Sequence, residues 1–166
     1  MLSPDALKTL YFTFIYPYFT YCNHVWGNAC HTYLHPLVML QKRCVRIITY
    51  SKFLEHTDPL FTRLSLLKIA DINKYFISKF MYRWYHDQLP SIFQNVFVGV
   101  RNIHDHNTRQ HLQLYCPKVK TTLGKRRMSY HASQVWNAIL KSNINPDTSE
   151  AVFAKTIKQC IKVGII

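Results

Sequence analysis

From Thr9 to Gln41 the chain carries no Lys, Arg, Asp or Glu. A stretch of that length without formal charge calls for cover, either from the rest of the fold or from lipid. Leu10 to Trp26 is rich in aromatic residues and approaches the length of a membrane span. Pro17, Asn23, His24 and the threonines interrupt it, and tyrosine belongs at membrane interfaces rather than at the hydrocarbon centre. A buried helix is the expectation, with no membrane contact. Ser3-Pro4-Asp5 supplies its start: a hydroxyl cap, Pro at the first position and an acid in the first turn. Leu7, Leu10, Tyr11 and Phe14 follow at helical spacing, and Pro17 is expected to bend or end the helix. Tyr18, Phe19, Tyr21 and Trp26 read as core filler, with base stacking the minority use of such rings.

The next stretch, Leu34 to Ile72, is the centre of the chain. Leu37, Leu40, Cys44 and Ile47/Ile48 recur at helical spacing and predict a buried stripe. Pro36 suits the first turn of that helix, where its absent N–H costs nothing. Lys42, Arg43 and Arg46 fall on the other side, so one face can dock while the other offers three cations. Asp58-Pro59 reads as the cap and first residue of a short helix, and Asp71 as the opening of a longer one through Tyr85.

Several pieces of this order resemble a known family. They are Leu40-Gln41-Lys42-Arg43, Arg46-Ile47-Ile48-Thr49, His56-Thr57-Asp58-Pro59-Leu60-Phe61 and Leu67-Lys68-Ile69-Ala70-Asp71-Ile72. Upstream stand Leu10-Tyr11, Ile15-Tyr16-Pro17, Tyr21-Cys22 and Val25-Trp26-Gly27, and downstream Thr108-Arg109 and Trp136-Asn137. Together they resemble the region just after the polymerase core in non-LTR (LINE-type, jockey-like) retrotransposon reverse transcriptases, across nearly the whole chain. The resemblance implies a thumb and post-thumb segment, a helical element that closes on the template–primer duplex behind the active site. A Cys/His-rich nucleic-acid motif found at the C-terminus of some relatives has no counterpart after Cys116.

Charge points the same way. The net charge is +13 with eight carboxylates, which calls for a polyanionic partner or an acidic surface. Residues 42–83 hold nine Lys/Arg against Glu55, Asp58 and Asp71, and residues 101–127 hold seven against Asp105. Lys125-Arg126-Arg127, with Lys118 and Lys120, is the densest cluster and reads as phosphate-contacting rather than as a targeting tag. The five cysteines are scattered and odd in number, and the N-terminus lacks the basic and apolar regions of a signal peptide. The expected location is cytoplasmic or nuclear, not secreted. Cys22, His24, Cys30 and His31 match no common zinc spacing, and His104-Asp105-His106-Asn107 lacks the second carboxylate or histidine pattern of a nuclease. No metal and no cofactor are expected.

Residues 98–128 read as loops with short strands at Leu112–Tyr115 and Val119–Leu123. Two helices follow. Ser129 is placed to cap the first, with Ala132, Val135, Trp136 and Ile139 inward. Ser149 is placed to cap the second, with Val152, Phe153, Ile157, Cys160 and Ile161 inward and Lys155, Lys158 and Lys162 outward. The expected fold is mainly α, a thumb-like helical bundle with an irregular basic segment and two C-terminal helices. Its expected domains are 1–97, a basic loop-rich linker at 98–128, and 129–166.

A polymerase palm needs carboxylates that hold two metal ions. No two of Asp5, Glu55, Asp58, Asp71, Asp87, Asp105, Asp147 and Glu150 are adjacent, and there is no P-loop, nucleophile elbow or dinucleotide fingerprint. No catalytic residues are therefore assigned. The expected function is that of a truncated reverse-transcriptase fragment without its palm, binding RNA and DNA duplexes weakly through their backbones. Its expected contacts are Lys42, Arg43, Arg46, Arg109, Lys118, Lys120, Lys125, Arg126 and Arg127. The remainder of a reverse transcriptase is the expected protein partner. The alternatives are a small basic protein-interaction module or a remnant without function.

Overall fold

The computed structural model describes residues 2–103 and 112–165. Among them the backbone is mainly α-helical: nine α-helices, one π turn and two 3-10 turns, with no strand. The chain gathers into two compact units, Met1–Asn73 and Lys74–Ile166. Their boundary lies inside a helix rather than at residue 97.

In the first unit, Ser3 Oγ caps α1 (Pro4–Leu10) by accepting the Ala6 N–H at 3.2 Å. Pro17 does not end the helical run. A π turn at Tyr11–Ile15, closed by the Tyr16 N–H on the Tyr11 carbonyl, leads into α2 (Tyr16–Thr20). The wider turn puts Pro17 in a new first turn, where its absent donor is not needed. The aromatic stretch is also less covered than expected: Tyr11 and Phe19 are buried, while Phe14, Tyr18, Tyr21 and Tyr33 are exposed. After α3 (Asn23–Trp26) comes α4 (His31–Thr49), which starts five residues before Pro36. Pro36 thus lies beyond the first turn and leaves the exposed Thr32 carbonyl to water.

The buried side of α4 agrees with the expected stripe at Ile48 and differs from it elsewhere. Gln41, Val45 and Ile48 are buried, Leu37 and Cys44 are half-buried, and Leu40 is 53% exposed. The reason is polar. Gln41 Nε2 donates to Tyr11 Oη at 3.1 Å and to the Leu67 carbonyl at 2.9 Å, while its Oε1 accepts the Ile69 N–H at 3.1 Å. One buried amide satisfies three buried groups, and its position sets the rotation of the helix. A second polar knot holds α3: Asn73 Nδ2 donates to the Asn23 carbonyl and Oδ1, and Asn23 Nδ2 donates to the Phe19 carbonyl. A Cβ on Gly27 would sit 2.4 Å from Asn73 Nδ2, so the close approach requires glycine. Helix α5 (Asp58–Leu64) is capped one residue earlier than expected, at Thr57, and α6 (Ile69–Tyr85) opens two residues before Asp71.

In the second unit, Ile77, Met81 and Tyr82 of α6 are buried. The Tyr82 and Phe153 rings lie 4.8 Å apart, Tyr85 and Trp136 5.5 Å, and Trp136 and Phe153 6.3 Å. These rings join α6 to α8 (Met128–Lys141) and α9 (Glu150–Val163). Ala132, Val135, Trp136 and Ile139 face inward as the spacing predicts, as do Phe153, Ile157 and Ile161. Val152 is exposed instead, and Ser129 lies inside α8, whose cap position is Arg127. Ser149 does precede α9, without a side-chain cap bond. The two expected strands do not form. Leu114 makes one isolated bridge with Gly99, and Thr122 begins a short helix, α7 (Thr122–Lys125). Asn137 takes the place of a partner strand: its amide gives Leu114 both an acceptor and a donor at 2.8 Å.

Candidate nucleic-acid interface

On α4, the side opposite Gln41, Val45 and Ile48 is formed by Arg43, Arg46, Ile47 and Tyr50, spaced i, i+3, i+4 and i+7. The helix ends at Tyr50 in the left-handed conformation, φ 53°. The Ser51 N–H turns back to the Arg46 carbonyl at 3.0 Å. This reversal brings Ser51 and Phe53 alongside the last turn. The result is an open groove of about 510 Å³ lined by Arg43, Arg46, Ile47, Tyr50, Ser51 and Phe53.

Its cations are uneven in freedom. Arg43 is exposed. Arg46 is half-buried, and its Nε donates to the Glu55 carbonyl at 3.0 Å. Its terminal nitrogens have no protein acceptor among the described residues. The guanidinium is therefore held by one edge with the other edge available for an anion. The nearest acid in sequence, Glu55, is engaged: its Oε2 accepts the Lys52 N–H at 3.2 Å. Tyr50 Oη donates to the Leu2 carbonyl, which fixes the ring at the groove's edge. Neither Asp nor Glu is among the groove's lining residues.

Lys42 lies off this stripe, toward Asp58. Lys68, 3.0 Å away, holds the Asp58 carboxyl below the usual carboxylate range by hydrogen bond and charge, with a lesser contribution from Lys42.

In the second unit, Lys118, Lys120, Lys125 and Arg127 are exposed and Arg126 is half-buried. Thr121 caps α7 by accepting the Gly124 N–H at 3.1 Å, and a Cβ on Gly124 would meet Val119 Cγ1 at 2.1 Å. The segment therefore curls upon itself and carries its cations on one short stretch. Arg109, and with it His104-Asp105-His106-Asn107, lies outside the described residues. Lys42, Arg43 and Arg46 share α4 in the first unit, whereas Lys118, Lys120, Lys125, Arg126 and Arg127 belong to the second.

Among the described residues no three His, Cys, Asp or Glu gather as a metal site. Burial pushes the Cys44 and Cys116 thiols up, which disfavours the nucleophilic thiolate. Burial and Lys74 lower His131. No helix of the described residues is long and apolar enough to cross a membrane.

Sequence reasoning overlooked Tyr50 and Phe53, and counted Ile47 as core. The signal for Ile47 and Tyr50 was present, since Arg43-x-x-Arg46-Ile47-x-x-Tyr50 is itself a helical stripe. The turn that adds Phe53 carried no such mark, because a left-handed tyrosine is not announced by glycine. Compared with protein-family models, with curated proteins and with solved structures, the chain gives no match.

Proposed function

We propose that this chain is the thumb and post-thumb segment of a non-LTR retrotransposon reverse transcriptase, and that it holds nucleic acid by phosphate contacts along α4. The observation that carries this reading is the groove-side stripe, where two guanidiniums stand without a lining carboxylate in a protein of net charge +13. The stretches that resemble that family are also physically coupled. Gln41 of one bonds Leu67 and Ile69 of another and Tyr11 of a third, so their order and spacing serve one core. Contacts to phosphate position a duplex and carry no sequence information, so binding is non-specific. Polymerisation belongs to a palm outside this chain, and the exposed Phe14, Tyr18, Tyr21 and Tyr33 are suited to packing against it. The same exposed rings favour a second reading, a protein-interaction module whose charge serves solubility.

Salt dependence separates the two. Phosphate contacts release condensed counterions, so log affinity for a duplex falls with log salt by about 0.9 per contact. Replacing Lys42, Arg43 and Arg46 together by Gln is expected to flatten that slope by up to roughly 2 to 3, the upper figure if all three touch phosphate, and to leave circular dichroism nearly unchanged. A slope that moves only on neutralising Lys125, Arg126 and Arg127 transfers the contact to the second unit. Absence of duplex binding at low salt sinks the nucleic-acid reading for this chain.

A further inference from the structure

We propose that the groove at the end of α4 receives an unpaired nucleotide of a single-stranded nucleic acid, with its phosphate on Arg43 and Arg46 and its base against Phe53. The inference rests on α4 as a nucleic-acid contact and adds which form of nucleic acid it prefers.

A duplex needs cations along a surface; it has no use for an apolar floor beside them. This groove has one: Ile47, Tyr50 and Phe53 line it together with the two arginines, and Phe53 is 78% exposed. A base offers its π-face to a protein ring when it is unstacked, and every base has such a face, so the recognition tolerates sequence. The volume of about 510 Å³ lies within the roughly 300–1,000 Å³ of small-ligand sites, room for one nucleotide. Charge complementarity favours an anionic occupant and disfavours a cationic one, since two arginines and no acid line the walls. Pre-positioning is visible on both sides. The Glu55 carbonyl holds Arg46 by Nε, and the Leu2 carbonyl holds the Tyr50 hydroxyl. The non-glycine left-handed turn at Tyr50 reverses the chain, so that Ser51 and Phe53 line the same groove as the arginines.

The experiment is fluorescence anisotropy at low salt on the whole chain with three probes: oligo-dT of about eight nucleotides, an abasic strand of equal length, and a duplex of about 20 base pairs. The base-bearing strand is expected to bind about tenfold tighter than the abasic one. Phe53→Ala is expected to erase that difference and to leave duplex affinity unchanged, and Phe53→Trp to preserve it. Phe53 is exposed, so the fold tolerates both changes. Equal affinity for abasic and base-bearing strands, or a Phe53→Ala loss shared equally with the duplex, overturns the inference while leaving phosphate binding in place. Displacement of oligo-dT by a poly-Glu peptide of equal charge and concentration, as effective as unlabelled oligo-dT, also overturns it. Failure of all three probes to bind removes both this inference and the reading beneath it.

Discussion

Gln41 shows how much one residue can decide. Its amide meets the Tyr11 hydroxyl, the Leu67 carbonyl and the Ile69 N–H, all buried among apolar side chains. Leucine has nearly the same volume but satisfies none of them, and each orphaned group costs about 1–3 kcal/mol. Gln41→Leu should therefore destabilise the protein by about 3–5 kcal/mol in urea titrations; a loss under about 1 kcal/mol would show that water replaces the amide. Tyr11 itself offers a test by pH. Burial, with Gln41 opposing and Cys44 and Tyr16 adding, pushes its phenol from 10.0 up to about 12. The folded form thus retains a proton that the unfolded chain releases. The contribution is fully present below pH 10.0 and disappears as pH rises toward 12, a loss of about 2–3 kcal/mol. Tyr11→Phe should be less stable at pH 8 yet lose less between pH 10 and 11.5, read as the shift in urea midpoint for each protein. Tyr11 stood in the expected apolar stripe and is buried, but Gln41 was not legible as core. Gln41 is polar, and hydrophobic periodicity counts apolar positions alone.

At the scale of the element, α4 carries apolar residues around more than half of its circumference, so two phases were compatible with the sequence. Leu37, Leu40, Cys44 and Ile47/Ile48 have helical spacing, and so do Leu34, Val38, Gln41, Val45 and Ile48, the two sets sharing Ile48. The second set won because Gln41 had partners to reach. Leu40→Gln should consequently change stability by no more than about 0.5 kcal/mol, while Val45→Ala should cost about 2 kcal/mol. Thermal or urea denaturation showing the reverse order would restore the first phase. Elsewhere the pattern was readable: α8 buries the four residues that its spacing selects, and Ser3 caps α1. The basic stretch was not. Val119–Leu123 has strand-like residues, but Gly124 folds against Val119 and Asn137 supplies Leu114 with the bonds that a neighbouring strand would have given. Pairing of that kind is set by tertiary contacts, and no local pattern announces it.

For the whole molecule, helical class followed from apolar spacing and caps, and basic character from composition, while the boundary between the two compact units carries no local mark. It falls within α6, where Asp71-Ile72-Asn73-Lys74-Tyr75 offers no proline, glycine or polar run to mark a boundary. The division also redistributes the charge. Residues 1–73 hold seven Lys/Arg against four acids, and residues 74–166 hold fourteen against four. Most of the positive potential thus belongs to the second unit, where Glu150 is already shared by Lys79 and Arg83. The lesser share, in the first unit, includes the two arginines that line the α4 groove. The Gln41 tie has a further consequence, one of timing. Tyr11 finds its hydroxyl partner only when residue 41 has been made, and Gln41 finds its other two partners only when Leu67 and Ile69 have followed. At about 5–20 residues per second, a ribosome leaves roughly 3 to 12 seconds between Tyr11 and Ile69. Within that interval the uncharged aromatic stretch is completed before its closing clasp exists, so it leaves the ribosome with its apolar side not yet covered.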